Sequence, residues 1–245
     1  RYFQAGTDAL NFVLNGVTIG VEICEDIWYP EGPARVQSLG GAELIVNINA
    51  SPYHMGKSQL REDMLATRAL DNEVIIAYNN TVGGQDELVF DGSGLIIDPS
   101  GAVIARGRAF EEDLIVSDLD IDAVKTLRLK DPRRREAKLK TRLDGLREIV
   151  LSKTKGRKAA RPKMRPLKQP ARPLGPAEEV LKALVLGTRD YVKKNGFAHV
   201  VIGLSGGIDS SLVAAVAVSA LGPGNITGVA MPSQFTSKES SEDAK

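Results

Sequence analysis

Residues 199–221 read HVVIGLSGGIDSSLVAAVAVSAL. The apolar, β-branched run at residues 199–204 predicts a strand, and residues 209–221 predict a helix. Between them the glycine-rich turn SGGIDSS, residues 205–211, leads from the strand directly into the helix. Strands that alternate with helices are typical of layered α/β domains, so this stretch predicts an α/β fold.

The turn has the chemistry of an anion cradle. Gly206 and Gly207 lack a Cβ atom, so the backbone can approach an anion closely. The helix N-terminus behind them offers unpaired N–H groups and the positive end of a dipole. The turn does not close with Gly-Lys-Ser/Thr, which separates it from the P-loop and favours pyrophosphate as a leaving group. Asp209 suits either an N-cap or a ligand of the Mg²⁺ that accompanies a nucleotide.

The Ser-Gly-Gly-x-Asp-Ser pattern of this turn resembles the signature of the N-type ATP pyrophosphatases. These include the NAD, GMP, asparagine and argininosuccinate synthetases, which activate an oxygen as an adenylate and release pyrophosphate. The resemblance implies that ATP binds here, with Mg²⁺ on Asp209. The implied ATP-binding residues are Gly203, Leu204, Ser205, Gly206, Gly207, Ile208, Asp209, Ser210 and Ser211.

The only cysteine, Cys24, follows a predicted strand at residues 17–23 and precedes a polar turn. At such a position a thiolate is able to attack an amide carbon, and neighbouring N–H groups are able to form an oxyanion hole. Judged by itself, however, a lone cysteine in an apolar strand is more often a small buried hydrophobic residue. The position of Cys24 at the end of a predicted strand leaves both interpretations open, the nucleophile and the buried hydrophobic residue.

The run GVEICEDIW, residues 20–28, resembles the nitrilase (carbon–nitrogen hydrolase) superfamily. The resemblance implies that Cys24 is the nucleophile of a glutaminase. It also implies that Ser51 and Lys57 bind the α-amino and α-carboxylate ends of glutamine, and that Trp28 forms an apolar wall near the nucleophile. Other matching stretches are NASPY (49–53), YNN (78–80), DGSG (91–94) and DPSG (98–101).

In that superfamily the cysteine works with a glutamate base and a lysine, both contributed upstream. Only 23 residues precede Cys24, and they contain two carboxylates, Asp8 and Glu22, and no lysine. We therefore expect the triad partners to lie before residue 1, and the chain to be an internal fragment.

The order of the parts resembles the glutamine-dependent NAD synthetase family. It implies that glutamine hydrolysis supplies ammonia, and that ATP is split to AMP and pyrophosphate to amidate deamido-NAD (nicotinic acid adenine dinucleotide) to NAD⁺. Residues 1–124 are predicted to be the C-terminal part of a nitrilase-like αββα sandwich, and residues 125–175 a basic, Pro-rich linker. Residues 176–245 are predicted to begin a doubly wound parallel-sheet (adenine nucleotide alpha hydrolase-like) ATP-binding domain, with the deamido-NAD site further downstream.

Residues 125–172 contain 19 Lys and Arg against 4 Asp and Glu. A nucleic-acid-binding tail and a solvated linker both explain such a charge run. We favour the linker because the run lies between two folded segments, and because prolines such as Pro162 and Pro166 favour an extended spacer. Within it, residues 125–150 predict a helix whose thin apolar stripe consists of Leu139, Leu143, Leu146 and Ile149.

Periodicity predicts the remaining elements of the first segment. Predicted helices cover residues 33–39 and 57–71, and predicted strands cover residues 17–23, 44–49, 74–78, 93–97, 103–105 and 114–116. In the last segment, residues 178–194 predict a helix and residues 226–230 a strand.

Composition narrows the classes of function. The chain has 245 residues, one cysteine and a net charge of +1, and no apolar stretch approaches the roughly 18 residues of a membrane span. His54 and His199 are far apart and lack zinc spacing. We expect a cytoplasmic enzyme with small-molecule substrates, a homo-oligomer at full length, without nucleic acid or membrane. The alternatives are a nitrilase-type amidase with an appended ATP-binding module, an RNA-modifying enzyme, and an inactive fragment that only binds ATP.

Overall fold

The computed structural model describes residues 6, 8–141, 143–152, 170–232 and 238–244. The strands are β1 (Ala9–Leu14), β2 (Val17–Ile23), β3 (Leu44–Asn49), β4 (Ile75–Asn80), β5 (Val82–Gln85), β6 (Leu88–Asp91), β7 (Leu95–Ile97), β8 (Val103–Arg106), β9 (Leu146–Val150), β10 (Val200–Leu204) and β11 (Ile226–Ala230). The helices are α1 (Pro33–Leu39), α2 (Lys57–Asn72), α3 (Ile121–Lys130), α4 (Pro132–Lys140), α5 (Pro176–Lys194), α6 (Ile208–Leu221) and α7 (Lys238–Asp243).

Contacts divide the described chain into two compact units. The first contains residues up to 51 together with 56–81 and 92–173. The second contains residues 52–55, 82–91 and 174 onward. The β5–β6 hairpin therefore belongs with the last segment of the chain, although it lies between two strands of the first unit in the sequence.

The first unit is built on a seven-stranded sheet with the order β8-β7-β4-β3-β2-β1-β9. Its centre, β2-β3-β4, is parallel, and one helix crosses between each pair: α1 after β2 and α2 after β3. Parallel strands need such crossovers, and they bring the carboxyl ends of all three strands to one end of the sheet. Ile45, Ile76 and Leu65 are fully buried in the core between this sheet and its helices.

The second unit contains the parallel pair β10–β11, which α6 connects, and the antiparallel hairpin β5–β6. Helix α5 packs on both α6 and the hairpin. The backbones of α5 and the hairpin approach closely, because a Cβ atom at Gly84 would lie 3.0 Å from the Cα atom of Gly187. A strand, a tight turn and a helix at residues 200–221 confirm the prediction from the opening stretch.

The predicted helix at residues 125–150 is only partly correct. Helix α3 ends at Lys130 and α4 at Lys140, and after a turn the chain forms β9, which pairs in parallel with β1. The spacing of the apolar residues 139, 143, 146 and 149 fits a helix. The β-branched residues Ile149 and Val150, however, pair with the edge strand of the sheet, and this tertiary pairing overrides the local periodicity. Leu146 also lies directly over Gly40, at the end of α1.

The predicted strand at residues 114–116 is wrong. Leu114 and Val116 are 84% and 69% exposed, and the structure assigns no strand to them. Three residues without a neighbouring strand to pair with do not form one. The prolines Pro162 and Pro166 of the predicted linker, and residues 233–237, lie outside the described residues.

Two arginines of the basic segment are structural. Arg128 in α3 donates from Nη2 to the carbonyl of Ala42 at 2.5 Å and from Nε to the carbonyl of Glu73 at 3.0 Å. Arg134 in α4 donates to the carbonyls of Ser38 and Asn72. The carbonyls of Ser38, Asn72 and Glu73 lie at the C-terminal ends of α1 and α2, where a helix leaves acceptors unpaired, and that of Ala42 lies in the loop after α1. Part of the charge run is therefore packed on the first unit.

Candidate functional site

Cys24 lies where β2 ends and is the first residue of a 3-10 turn, Cys24–Trp28. Its φ angle is +50°, in the left-handed region that residues with a side chain seldom adopt. Such strain is typical of functional sites and persists only where the surroundings enforce it. The Asp26 carboxylate closes the turn around Cys24 by accepting a 3.0 Å hydrogen bond from the N–H of Ile23.

Two buried side chains support this turn from the core side. Arg68 of α2 donates to the carbonyls of Ile27 and Trp28 at 3.2 and 3.1 Å. Asn47 of β3 donates from Nδ2 toward the Cys24 carbonyl at 3.5 Å. The Trp28 side chain is half-buried and packs against the hydrophobic core. The turn is therefore held at its start and at its end.

Ser51 and Lys57, the predicted glutamine-binding residues, follow β3, the strand next to β2. Ser51 is 4% exposed, and Lys57 is half-buried as the first residue of α2. Because β2 and β3 are parallel neighbours, Cys24 and Ser51 lie beyond the same end of the sheet. In open α/β sheets, ligands bind outside the carboxyl ends of the strands.

Glu22 is the last inward-facing residue of β2 and is 1% exposed. Burial, and secondarily the Asp26 carboxylate, raises the pKa of Glu22 to about 7, and the Ala34 amide opposes this only in part. Within the described chain, neither carboxylate oxygen has a hydrogen bond of normal geometry. A carboxyl group with this pKa is neutral in much of the protein below pH 7.

The glycine-rich turn follows β10, as predicted, and its hydroxyls bond within the turn. Ser210 Oγ accepts from the N–H of Ser205 at 3.2 Å and donates to the carbonyl of Gly207 at 3.0 Å. Ser205 Oγ in turn accepts from the N–H of Gly207 at 3.2 Å, and Gly206 has a φ angle of +79°. The hydroxyls thus fix the shape of the turn at the start of α6.

The N-cap of α6 is Gly207, and Asp209 makes no capping bond. Of the two roles predicted for Asp209, the N-cap is therefore wrong. Its side chain is exposed in the first turn of the helix, a position that suits a ligand of nucleotide-bound Mg²⁺. Among described residues, no group of three or more His, Cys, Asp or Glu side chains could hold a metal ion. Mg²⁺ that arrives with phosphates needs only one or two carboxylates, so the turn fits it.

Three asparagines beside the site were missed from the sequence: Asn47, Asn49 and Asn80. Each is at most 6% exposed. Asn49 donates to Asn47, while Asn47 and Asn80 bond to the backbone of Cys24 and Ser51. A signal was available, because asparagine recurs at alternate positions on the buried face of β3, where apolar side chains are the rule.

No described helix has both the length and the hydropathy needed to cross a membrane.

Two family models match parts of the chain. The carbon-nitrogen hydrolase model matches residues 1–129, and the NAD synthase model matches residues 180–245. Over 249 aligned residues the chain is 50% identical to a glutamine-dependent NAD(+) synthetase of Aquifex aeolicus, and over 247 it is 49% identical to one of Thermotoga maritima. In both cases all of this chain aligns, and it spans 42% of the relative.

A solved structure is similar over nearly the whole chain. It is a glutamine-dependent NAD+ synthetase of Acinetobacter baumannii in complex with ADP, 34% identical, with a TM-score of 0.78. The match covers 99% of this chain and 39% of that one.

Proposed function

We propose a function from the premise that this chain belongs to the carbon-nitrogen hydrolase family and is, over its whole length, a homologue of part of the glutamine-dependent NAD⁺ synthetases. The proposal is that the full-length protein hydrolyses glutamine at Cys24. It then uses the ammonia and ATP to convert deamido-NAD to NAD⁺. The observation that carries it is the strained position of Cys24 at the carboxyl end of β2, in a chain whose other unit has an ATP-type turn.

In the first half-reaction the Cys24 thiolate attacks the side-chain carboxamide carbon of glutamine. The C–N bond breaks, the nitrogen takes up a proton and leaves as ammonia, and a thioester remains. Water then hydrolyses the thioester to glutamate and restores the thiol. Ser51 and Lys57 are assigned to the α-amino and α-carboxylate ends of the substrate, since a hydroxyl accepts or donates and an ammonium attracts a carboxylate. Trp28 is assigned to the apolar wall beside them.

In the second half-reaction a carboxylate oxygen of deamido-NAD attacks the α-phosphorus of ATP, and pyrophosphate leaves. Ammonia then displaces AMP from the acyl adenylate to give NAD⁺. The turn at residues 205–211 is assigned to the pyrophosphate, whose charge suits the N–H groups and the dipole at the start of α6. Mg²⁺ bound with ATP would neutralise phosphate charge, and Asp209 would hold it. A cytoplasmic location suits these substrates.

The test compares the full-length wild type with Cys24→Ala. NAD⁺ formation from deamido-NAD and ATP is followed once with glutamine and once with ammonium as the nitrogen source. We expect the variant to lose the glutamine-driven rate and to keep the ammonium-driven rate, because only the first reaction needs the thiol. If the wild type releases ammonia from glutamine but makes no NAD⁺ from either source, the amidase alternative replaces this proposal.

A further inference from the structure

The side chain of Asn80, at the end of β4, forms hydrogen bonds with both backbone polar groups of Ser51. Its Oδ1 accepts a hydrogen bond from the N–H of Ser51 at 2.8 Å, and its Nδ2 donates to the carbonyl of Ser51 at 3.2 Å. Both residues are at most 6% exposed. The amide thus satisfies both polar groups of one buried residue just after a strand, where no further ladder bond is available.

Asn47 and Asn49 continue this arrangement along β3 toward the nucleophile. Asn49 Nδ2 donates to Oδ1 of Asn47 at 2.7 Å and to the carbonyl of Asn79 at 3.0 Å. Asn47 Nδ2 in turn points at the carbonyl of Cys24. In the register of the sheet, Asn49 lies directly beside Asn80. The three side chains therefore form a continuous buried row from Cys24 to Ser51.

Burial of this much amide surface needs a reason. Buried amides weaken a core unless nearly all of their groups are bonded, and Asn49 Oδ1 has no hydrogen-bond partner within the described chain. Apolar side chains would fill these positions at lower cost to folding. Unlike apolar side chains, the amides form directional hydrogen bonds. Each of these bonds fixes the position of one backbone group relative to the next strand.

We propose that Asn47, Asn49 and Asn80 are positioning residues that hold Ser51 in register with Cys24 for glutamine hydrolysis. None of the three is assigned to touch the substrate. They act through the backbone of the two residues that do. The inference rests on the glutaminase activity proposed above, and it predicts a defect in glutamine use that leaves ammonium use intact.

The first variant is Asn80→Ala in the full-length protein, with Asn11→Ala as the matched control. Asn11 is also a fully buried asparagine of the same sheet and donates to the carbonyl of Gln37 at 3.1 Å, away from Cys24 and Ser51. We expect Asn80→Ala to raise the KM for glutamine about tenfold more than the control does, which is the effect of one lost buried hydrogen bond. The ammonium-driven rate should stay within twofold, roughly, of the wild type.

The second variant, Asn80→Asp, separates positioning from a general loss of stability. A protonated aspartic acid both accepts from the N–H and donates to the carbonyl of Ser51, as the amide does. The ionised carboxylate repels that carbonyl. The ratio of its glutamine KM to the wild-type value should therefore rise as the pH rises from about 6 to about 9, since burial shifts carboxyl titration upward.

Each result decides the question. A glutamine KM for Asn80→Ala equal to that of the Asn11→Ala control would overturn the inference, as would a KM ratio for Asn80→Asp that does not change with pH. If Asn80→Ala fails to fold, the Asn80→Asp ratio alone decides. If the wild type itself releases no ammonia from glutamine, the proposed function fails and the inference fails with it, an outcome recognised before any variant is made.

Discussion

The carboxylate of Asp190 in α5 accepts a 2.8 Å hydrogen bond from the backbone N–H of Gly84 in the β5–β6 hairpin, 106 residues earlier in the chain. Lys194, one turn further along the helix, donates to the carbonyl of the same glycine at 2.6 Å. Two side chains of one helix thus take the place of a further strand at the edge of the hairpin. A two-stranded hairpin is marginally stable alone, so this helix is what stabilises it.

Replacement of Asp190 by alanine should loosen the hairpin. The Gly84 N–H would lose its acceptor in a half-buried site, which costs about 2 kcal/mol of unfolding free energy for this unit. Asp190→Asn keeps an acceptor oxygen and should cost less. Hydrogen exchange at residues 82–91 measures the effect directly. Unchanged protection of the Gly84 amide in Asp190→Ala would contradict this role.

Arg134 offers a second stability test. Its guanidinium donates to Ser38 and Asn72 at the ends of α1 and α2, and its side chain is 15% exposed. Arg134→Ala leaves those carbonyls partly unpaired, so we expect the first unit to lose about 2 to 3 kcal/mol in urea unfolding. The neighbouring Arg133, whose side chain is 88% exposed, is the matched control, and Arg133→Ala should leave the midpoint unchanged. Equal midpoints for the two variants would show that Arg134 contributes no more to stability than the solvated Arg133.

Local sequence determined most of the central elements. The strands at residues 17–23, 44–49 and 226–230 and the helix at residues 33–39 have the predicted bounds. The strands are β-branched runs bounded by turn residues, and the helix begins at Pro33, which suits a first helical position. In these cases, local preference and tertiary environment favour the same conformation.

The sequence was less informative where contacts with distant parts of the chain determine the local structure. β9 carries an apolar spacing that fits a helix, and only its pairing with β1 makes it a strand. The same holds for the site. Cys24 and the turn at residues 205–211 were predicted as site residues from the sequence motifs around them. Asn80 was missed, because its role depends on the backbone of Ser51, 29 residues away.

The proposed assignment of the turn at residues 205–211 to ATP gives a binding prediction. Ser210 Oγ connects the N–H of Ser205 to the carbonyl of Gly207, so Ser210→Ala removes the bonds that set the shape of the turn. We expect the Kd for ATP with Mg²⁺ to rise about tenfold, the equivalent of one hydrogen bond. Ser219→Ala is the control, since its hydroxyl bonds the Ala215 carbonyl within the same helix. Calorimetry on the full-length protein that finds the same Kd for both variants would contradict the assignment of this turn to ATP.

The buried Glu22 predicts how stability depends on pH. Its pKa is raised from 4.5 to about 7 in the folded protein, mainly by burial. Between these two values the folded protein holds a proton that the unfolded chain has released. Stability from this group is therefore complete below about pH 4.5 and is lost as the pH rises to about 7.

Glu22→Gln removes this dependence, because its amide resembles the protonated acid and does not titrate. The variant should match the wild type near about pH 4.5 and exceed it above about pH 7 by up to roughly 3 kcal/mol, the equivalent of the shift. Urea unfolding at a series of pH values measures the difference, with Glu112→Gln at an exposed site as the baseline. A difference between Glu22→Gln and the wild type that stays constant across this range would mean that Glu22 is ionised in the folded protein. In that case a positive charge must stabilise the Glu22 carboxylate in the folded protein, and Glu22 would act on the turn of Cys24 through its negative charge.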